Sequence, residues 1–444
     1  MRRGAARRIG VVAVSAVLCL GVPPAASAAA PPPGSPVTSF GGGDGTVRVP
    51  LSHLPTWSDN QRWTAHDTPL LIDAVRSGPA AGSFRALVGS SYRDASTLSE
   101  RAYRSDGSVD TSWNRGRPLV LARYSPDEGL ATIQADALRR FYVAEVGLEG
   151  GVRLRRTTSR GLWDPSYPSP WVDPAGFTWS PAIAVSPAGR VRLCHSPIGV
   201  DAVLAVTDVD NAGAVVGDHR VDLSSVAVRA VCQTALFLPD RSAVLGIALF
   251  DESPTRREAL IRVMPTGELD PSYGTGGVLL LPTSISGSTL AGMTASGGGV
   301  VVSALSTVSG TSRPALLVTT ATGSLDPSFG YGGVLRLAHP GTGVAEVVRD
   351  GHGGWFVCLV AQTRPRGGTT VDPGLLHLDA RGRPVAAFGR NGYLRFGPGV
   401  SAAGTGPTTV VVFGSGRMLV GLSEQRFSSD RVIGIGARID KRWS

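Results

Sequence analysis

One segment, residues 321–334, recurs along the chain and constrains its fold more than any other feature. It reads Ala-Thr-Gly-Ser-Leu-Asp-Pro-Ser-Phe-Gly-Tyr-Gly-Gly-Val. Other copies, of varying fidelity, start with the following glycines: Gly34, Gly107, Gly161, Gly213, Gly267 and Gly382. After a first interval of 73 residues, successive copies are 52 to 59 residues apart. A fixed period in this range indicates a repeat architecture.

Each part of the motif favours a turn. The first glycine allows a positive φ, the Asp can hydrogen-bond to its own backbone, and the following Pro presets φ to about −65°. The aromatic residue, Phe329 in this copy, is the one large apolar group in a small and polar loop. We therefore expect it to fill the space between neighbouring repeats. The final Gly-x-Gly-Gly allows a close bend before the next strand.

The motif resembles the delta-60 repeat, whose units read roughly Asp-Gly-Ser-Leu-Asp-x-Ser-Phe-Gly-x-Gly-Gly. The match is sharp at Gly267 and Gly323 and extends over most of the chain after residue 33. The resemblance implies that each repeat forms one blade of a β-propeller. It does not point to an active site.

The residues between the motifs predict four short strands in each repeat. In the clearest unit these strands are 344–349, 355–362, 375–379 and 393–396. Apolar runs such as 300–305 are nearly continuous, as expected for blades that are packed on both faces. First strands near residues 70, 132, 183, 231, 290, 345 and 410 give seven units.

The sequence therefore predicts an all-β fold, a seven-bladed β-propeller of four-stranded blades that forms a single domain over residues 34–444. The two ends of the chain predict how the ring closes. Residues 34–40 supply the second half of a repeat whose first half is absent, and residues 432–440 read like the strand before a motif. We expect the N-terminal strand, 46–51, to complete the last blade beside residues 432–439.

The N-terminus has the composition of a secretory signal peptide. Four arginines precede residue 9, residues 9–22 are apolar, and Ala26-Ser27-Ala28 suits cleavage. We expect removal of residues 1–28, which leaves a Pro/Ala-rich spacer at 29–33 and a secreted or extracytoplasmic protein. A lipid anchor on Cys19 is the alternative, although Leu18 stands where a lipobox has a small residue. No later apolar run reaches about 18 residues, so no membrane span is predicted.

Charge and missing motifs exclude several function classes. Removing the four leader arginines from the net charge of +9 leaves +5, and no nucleic-acid partner is expected for an exported protein. Because Lys441 is the only lysine, phosphate-binding loops, kinase-type strand lysines and Schiff-base lysines have no candidate. The zinc-peptidase, thiol-redox and serine-hydrolase motifs are absent. We therefore predict no catalytic residue, no cofactor and no metal site.

Two local patterns have competing explanations. Residues 208–213 superficially resemble the start of a calcium loop, but no acidic residue closes the loop, and a turn is favoured. The second pattern is the arginine cluster of the predicted mature chain: Arg153, Arg155, Arg156 and Arg160. Its partial alternation favours a solvated strand face over an anion site.

Three cysteines remain after the leader: Cys194, Cys232 and Cys358. In an oxidising compartment, an odd number leaves at least one free thiol or an intermolecular bond. If the blades repeat in register, Cys194 lies in the second strand of one blade and Cys232 in the first strand of the next. These two cysteines can then approach closely enough to bridge.

Two segments, 53–67 and 163–179, depart from the repeat and are rich in aromatic residues. Flat side chains can stack on sugar rings or on a peptide, whereas packing between blades is the competing explanation. The two segments can cooperate only if they emerge on the same face of the propeller. Their tryptophans are the candidate ligand-binding residues: Trp57, Trp63, Trp163, Trp171 and Trp179.

The function predicted from these observations is that of an exported, monomeric binding or scaffold module whose partner is an extracellular protein or glycan. The alternative is an extracytoplasmic hydrolase or lyase that acts on polysaccharide. For that chemistry, Asp59, Asp67, Asp164 or Asp173 could supply paired carboxylates. Such an enzyme should gather acids, His and Arg at one end of the central channel, whereas a scaffold needs no such cluster.

Overall fold

The structure is a computed structural model, and the residues that it describes all belong to one compact unit, Pro32–Ser444. Among these residues, no helix is long and apolar enough to cross a membrane. The signal peptide, the spacer and the motif copy at 34–40 lie outside the described residues. The described ranges are 46–47, 66–74, 82–92, 95–124, 129–147, 151–172, 181–196, 202–251, 256–285, 290–308, 311–339, 342–361, 374–395, 406–412, 417–423 and 434–438.

The regular secondary structure of the described residues is β-strand, apart from two short 3₁₀ helices at Asn114–Gly116 and Thr283–Ile285. The first nine strands are β1 (Thr46–Val47), β2 (His66–Ala74), β3 (Phe84–Tyr92), β4 (Ala95–Tyr103), β5 (Leu119–Tyr124), β6 (Gly129–Ala135), β7 (Phe141–Val146), β8 (Val152–Arg156) and β9 (Trp171–Val172). The next eight are β10 (Ala182–Val185), β11 (Val191–His195), β12 (Val203–Val209), β13 (Val215–Asp222), β14 (Arg229–Phe237), β15 (Ala243–Phe250), β16 (Arg256–Val263) and β17 (Val278–Leu280). Then follow β18 (Gly292–Ser296), β19 (Gly299–Val308), β20 (Thr311–Val318), β21 (Val334–Arg336), β22 (Thr342–Arg349), β23 (Trp355–Ala361), β24 (Gly374–Leu378) and β25 (Tyr393–Arg395). The last three are β26 (Gly406–Val412), β27 (Arg417–Ser423) and β28 (Gly434–Arg438).

The chain is an all-β protein with a β-propeller arrangement. Six antiparallel sheets of four consecutive strands form blades 1 to 6, which begin with β2, β6, β10, β14, β18 and β22. A further four-stranded sheet has the order β1-β28-β27-β26. The first strands of neighbouring blades contact one another, for example β6 with β10 and β10 with β14, so the first strand is the inner one. The four strands predicted between residues 344 and 396 are confirmed as β22 to β25.

The motif forms the turn between the third and fourth strands of a blade. In the copy between β20 and β21, Gly323 has φ 72°. The carboxylate of Asp326 accepts hydrogen bonds from the backbone N–H of Ser328 at 2.9 Å and from its hydroxyl at 2.7 Å. The predicted positive φ and the predicted Asp–backbone hydrogen bond are therefore both confirmed. In the 208–213 segment, Asp210 accepts from the N–H groups of Ala212 and Ala214, which confirms a turn there.

The motif aromatics fill the boundaries between blades, as predicted. Tyr273 of blade 4 and Phe329 of blade 5 are each 1% exposed and belong to apolar clusters that include residues of the following blade. The first glycine of the next motif lies directly against each ring. A Cβ added to Gly323 would come within 2.7 Å of the Tyr273 ring, and one added to Gly382 within 3.0 Å of Phe329. The glycine is thus required both for its backbone angle and for the ring that it faces.

Buried arginines also join neighbouring blades. Arg192 on β11 is 1% exposed and makes two 2.8 Å hydrogen bonds to the carboxylate of Asp208 within blade 3. Its Nη1 group donates at 3.0 Å to the carbonyl oxygens of Val263 and Met264 in blade 4. One guanidinium therefore satisfies groups on both sides of a boundary, which compensates the cost of burying its charge.

A disulfide provides a covalent link between blades 3 and 4. Cys194 on β11 is bonded to Cys232 on β14, and their Cα atoms are 6.0 Å apart. This confirms that the second strand of one blade meets the first strand of the next at these positions. Cys358 is free and buried.

Candidate binding site on the second blade

Two of the five candidate tryptophans, Trp163 and Trp171, belong to the described residues, and both lie in blade 2. Trp57, Trp63 and Trp179 lie outside the described part of the chain. The two described tryptophans have different surroundings, because one lies before β9 in the motif turn and the other lies within β9.

Trp163 packs at the boundary between blades 1 and 2. Its indole is partly buried against the apolar cluster that contains Leu121 and Phe141. The indole N–H donates a 2.8 Å hydrogen bond to the carbonyl oxygen of Leu121. The Arg155 guanidinium covers the ring at 3.5 Å from its centre. Packing therefore accounts for the contacts of Trp163.

Trp171 is 50% exposed and lies on β9, the outermost strand of blade 2. It pairs across the sheet with Arg153 on β8. The Arg153 guanidinium lies 5.9 Å from the centre of the indole ring, at the outer limit of a cation–π contact. Trp171 thus presents an accessible aromatic face beside a cation.

The three arginines of β8 differ in whether an acidic group balances their charge. The Arg156 side chain donates at 3.0 Å to Asp164 and at 3.1 Å to the side-chain oxygen of Asn211 in blade 3. Arg155 contacts Glu145 at 3.4 Å. Within the described part of the chain, Arg153 has neither an ion pair nor a hydrogen bond, and its Nε atom is buried without a partner. Arg153 is therefore the arginine of this strand whose charge is not balanced by an acidic group among the described residues.

The solvated-face interpretation of the arginine cluster is wrong for Arg156, which is 6% exposed. Burial alone would raise the pKa of its partner Asp164, but hydrogen bonds from Ser166 and Arg156 bring that pKa below its ordinary value. Asp164 is thus held as a carboxylate in a structural ion pair. This arrangement does not suit the proton donor that glycoside hydrolysis requires.

Strand direction decides which loops share a face of the propeller. Successive strands of a blade are antiparallel, so the end of a fourth strand and the start of a first strand lie on the same face. Val172 at the end of β9 and His66 at the start of β2 are therefore on one face. Trp163, between β8 and β9, is at the opposite end of its blade. The structure thus places Trp163 on the face opposite to that of Trp171 and of the start of β2, the strand in which the predicted 53–67 segment ends.

The inner strands are joined by polar side chains that mimic backbone pairing. The Gln134 amide donates to the Ile183 carbonyl at 2.7 Å and accepts from the Val185 N–H at 2.9 Å. Gln233 accepts from the Leu290 N–H, and Glu346 accepts from the Val410 N–H, both at 2.7 Å. These side chains satisfy structural hydrogen bonds between neighbouring sheets.

One buried acid lies next to an inner strand. Burial raises the pKa of Glu258, which is 1% exposed, and its carboxylate contacts Arg256 at 2.8 Å and Gln233 at 2.5 Å. A substrate has no access to a side chain so deeply buried. Among the described residues, no group of three or more His, Cys, Asp or Glu side chains is arranged to hold a metal ion.

No protein-family model and no curated protein matches the chain. Similar solved structures include a protein of unknown function from Dyadobacter fermentans, with 11% identity and a TM-score of 0.46 over 86% of this chain and 96% of that one. The Hadza microbial sialidase Hz136 has 10% identity and a TM-score of 0.44 over 80% and 73%, respectively. Drosophila Semaphorin 2a has 8% identity and a TM-score of 0.43 over 86% and 75%. Likenesses this distant assign no function.

The pairing of Trp171 with Arg153 was missed by sequence reasoning. The two residues are 18 positions apart, and only the register between β8 and β9 brings them together. The available signal was that Arg153 alternates with the apolar Val152 and Leu154, as an outward-facing strand residue does. Which arginine would lack an acidic partner depends on the positions of Glu145 and Asp164, and these follow from the tertiary structure.

Proposed function

We propose that the protein is an exported binding module that recognises its ligand through Trp171 and Arg153. The observation that carries this proposal is a half-exposed indole beside a guanidinium that has no acidic partner among the described residues. The indole can stack on a flat, apolar surface, and the guanidinium can donate two hydrogen bonds to a carboxylate. A glycan that contains an acidic sugar has both features, as does a peptide with neighbouring aromatic and acidic residues.

A screen on glycan and peptide arrays, followed by calorimetry with the best binder, tests the proposal. Trp171→Ala should weaken binding by about 1–3 kcal/mol, the range for losing a stacked aromatic group. Its melting temperature should stay close to that of the parent, because the side chain lies half in solvent on an edge strand. Arg153→Gln should also weaken binding.

Arg155→Gln is the matched control, since it removes the same charge from the same strand. Its guanidinium is engaged by Glu145 and Trp163, so ligand affinity should change little. Equal losses of affinity in Arg153→Gln and Arg155→Gln would mean that binding depends on the net charge of the strand and not on a specific contact of Arg153. An unchanged affinity in Trp171→Ala would contradict the proposed site.

We propose further that the propeller has seven blades and that the N-terminal strand closes the ring, in agreement with a delta-60 repeat protein. The sheet that contains β26, β27 and β28 supports this, because Thr46 and Val47 of β1 pair with Ile435 and Gly434 of β28. The contacts of β26 with β22 on one side and with β2 on the other are a second support. These contacts would make the first strands of seven sheets a continuous cycle.

Export rests on the N-terminal sequence. The basic residues, the apolar run and the Ala26-Ser27-Ala28 site together support removal of residues 1–28. Mass spectrometry of the secreted protein should find an N-terminus within a few residues of Ala29. A retained, lipid-modified Cys19 would instead establish a lipoprotein. The polysaccharide hydrolase or lyase stays the alternative prediction, and turnover of an array ligand would support it.

A further inference from the structure

The outer strand of blade 3 differs from those of its neighbours. β13 runs for 8 residues, whereas β9 has 2 and β17, β21 and β25 have 3; the outer strand of blade 1, β5, has 6. The motif copy that begins at Gly213 lacks the Asp-Pro-Ser-aromatic-Gly turn, so the chain continues directly into a long strand. An edge strand of this length offers a row of backbone hydrogen-bonding groups to another chain.

The outward-facing backbone groups of β13 follow from its pairing with β12. Leu223 N–H donates to the Ala202 carbonyl, immediately beyond the last paired residues of the two strands. Since inward and outward groups alternate along an antiparallel strand, Asp218, Arg220 and Asp222 direct their N–H and C=O groups away from β12. The side chains of all three are exposed. Among the described residues, the Arg220 guanidinium has no ion pair or hydrogen bond.

The charges on this edge alternate in sign, from Asp218 to Arg220 to Asp222. This pattern is complementary to a second copy of β13. If two copies of β13 pair antiparallel through their outward groups with His219 at the centre, Asp218 of each copy lies opposite Arg220 of the other. Shifting the centre to Arg220 or to Asp218 places like charges opposite each other, which is destabilising. The charge pattern is therefore self-complementary in the register centred on His219.

We propose that β13 mediates a two-fold symmetric dimer in which the outer strands of two blade 3 sheets form one continuous sheet. The residues that carry the charge pattern, 218–222, pair with β12 without a register shift, and β13 contains no proline that would interrupt the ladder. A contact of one strand per subunit is smaller than a standard protein interface. We therefore expect weak association, with a mixture of monomer and dimer whose proportions change with protein concentration. This proposal departs from the monomer expected from the sequence.

Charge reversal tests the pairing in the secreted protein. Sedimentation velocity over a concentration series should show a reversible monomer–dimer equilibrium for the parent. Asp218→Arg and Arg220→Asp each convert two attractive pairs into two repulsive ones, so each should raise the dimer Kd by at least about tenfold. The double variant D218R/R220D restores opposite charges across the interface and should restore dimerisation. All four proteins should have similar melting temperatures, because both side chains are exposed.

A parent that is monomeric up to its solubility limit would overturn the proposal, and would leave β13 as an ordinary edge. Equal dimerisation of all four proteins would place the contact elsewhere on the molecule. A folded double variant that stays monomeric would also contradict it, because in the proposed register the reversed charges are again complementary. None of these results bears on ligand binding by Trp171, so the two proposals fail separately.

Discussion

At the residue scale, the motif glycines do more than allow a turn. Gly323 combines a left-handed φ of 72° with a position against the buried ring of Tyr273 in the preceding blade. Backbone N–H of Gly274 also donates to the carbonyl of Thr322 at 2.8 Å, so the two motif turns are hydrogen-bonded to each other. Successive repeats therefore contact one another through the motif itself.

Gly323→Ala separates these two requirements when it is compared with Gly332→Ala. Gly332 has φ 59° but open space around its Cβ direction, so its substitution carries only the left-handed cost of about 1–2 kcal/mol. Gly323→Ala has that cost and an overlap with Tyr273, which adds about 1–3 kcal/mol. The free energy of unfolding, measured by denaturant titration, should therefore fall further for Gly323→Ala. Similar losses in the two variants would mean that the glycine–ring contact is not restrictive.

At the element scale, each boundary between blades combines different interactions. A motif aromatic fills the boundary between blades 5 and 6, whereas Arg192 and the Cys194–Cys232 disulfide join blades 3 and 4. The motif copy at Gly213 has no aromatic residue in the usual place, and His219 packs against Gly267 instead. The disulfide thus joins blade 3, which has this divergent motif copy, to blade 4.

The disulfide should contribute measurably to stability. The double variant C194A/C232A removes a crosslink with a sequence separation of 38 residues, for which we expect a loss of about 2–4 kcal/mol in the free energy of unfolding. Cys358→Ala is the matched control, since it removes a buried sulfur without removing a crosslink. Its loss should be smaller.

The reactivity of the thiols provides an independent check of the Cys194–Cys232 pairing. Burial raises the pKa of the Cys358 thiol, so alkylation at neutral pH should occur only after unfolding. A non-reduced peptide map should contain one crosslinked species that joins the Cys194 and Cys232 peptides. A peptide that joins Cys358 to either cysteine would refute the pairing.

At the scale of the whole molecule, the proposed closure makes the two ends of the chain interdependent. Deleting residues 431–444, or every mature residue before Pro50, would remove a strand from the sheet that contains β26 and β27. The exposed sheet edge should lower the melting temperature and promote aggregation. Thermal denaturation with simultaneous light scattering measures both effects.

Deletion of the spacer 29–33 alone is the control for the closure experiment. It removes no predicted strand and should leave the melting temperature unchanged. A variant that lacks 431–444, yet melts at the parent temperature and stays soluble, would show that the ring does not depend on its terminal strands.

The sequence by itself determined the features that arise from local chain geometry. Glycine at a positive φ, Asp bonded to its own backbone and the alternation of apolar runs with turns depend on neighbouring residues, so the strands from β22 to β25 and the turn at Asp326 were predictable. Repetition of the motif strengthened this prediction, because each copy predicts the same turn between two strands. The contact of Cys194 with Cys232 followed from the same register.

Tertiary structure alone decided which side chains became available to a partner. Trp163 and Trp171 look alike in the sequence, but one donates to Leu121 in blade 1 and the other stands half exposed beside Arg153. Which arginine of β8 lacks an acidic partner also depends on contacts between strands and turns of the folded blade. Such contacts join residues that are far apart in the chain, so no local pattern encodes them, and only the packed blades reveal them.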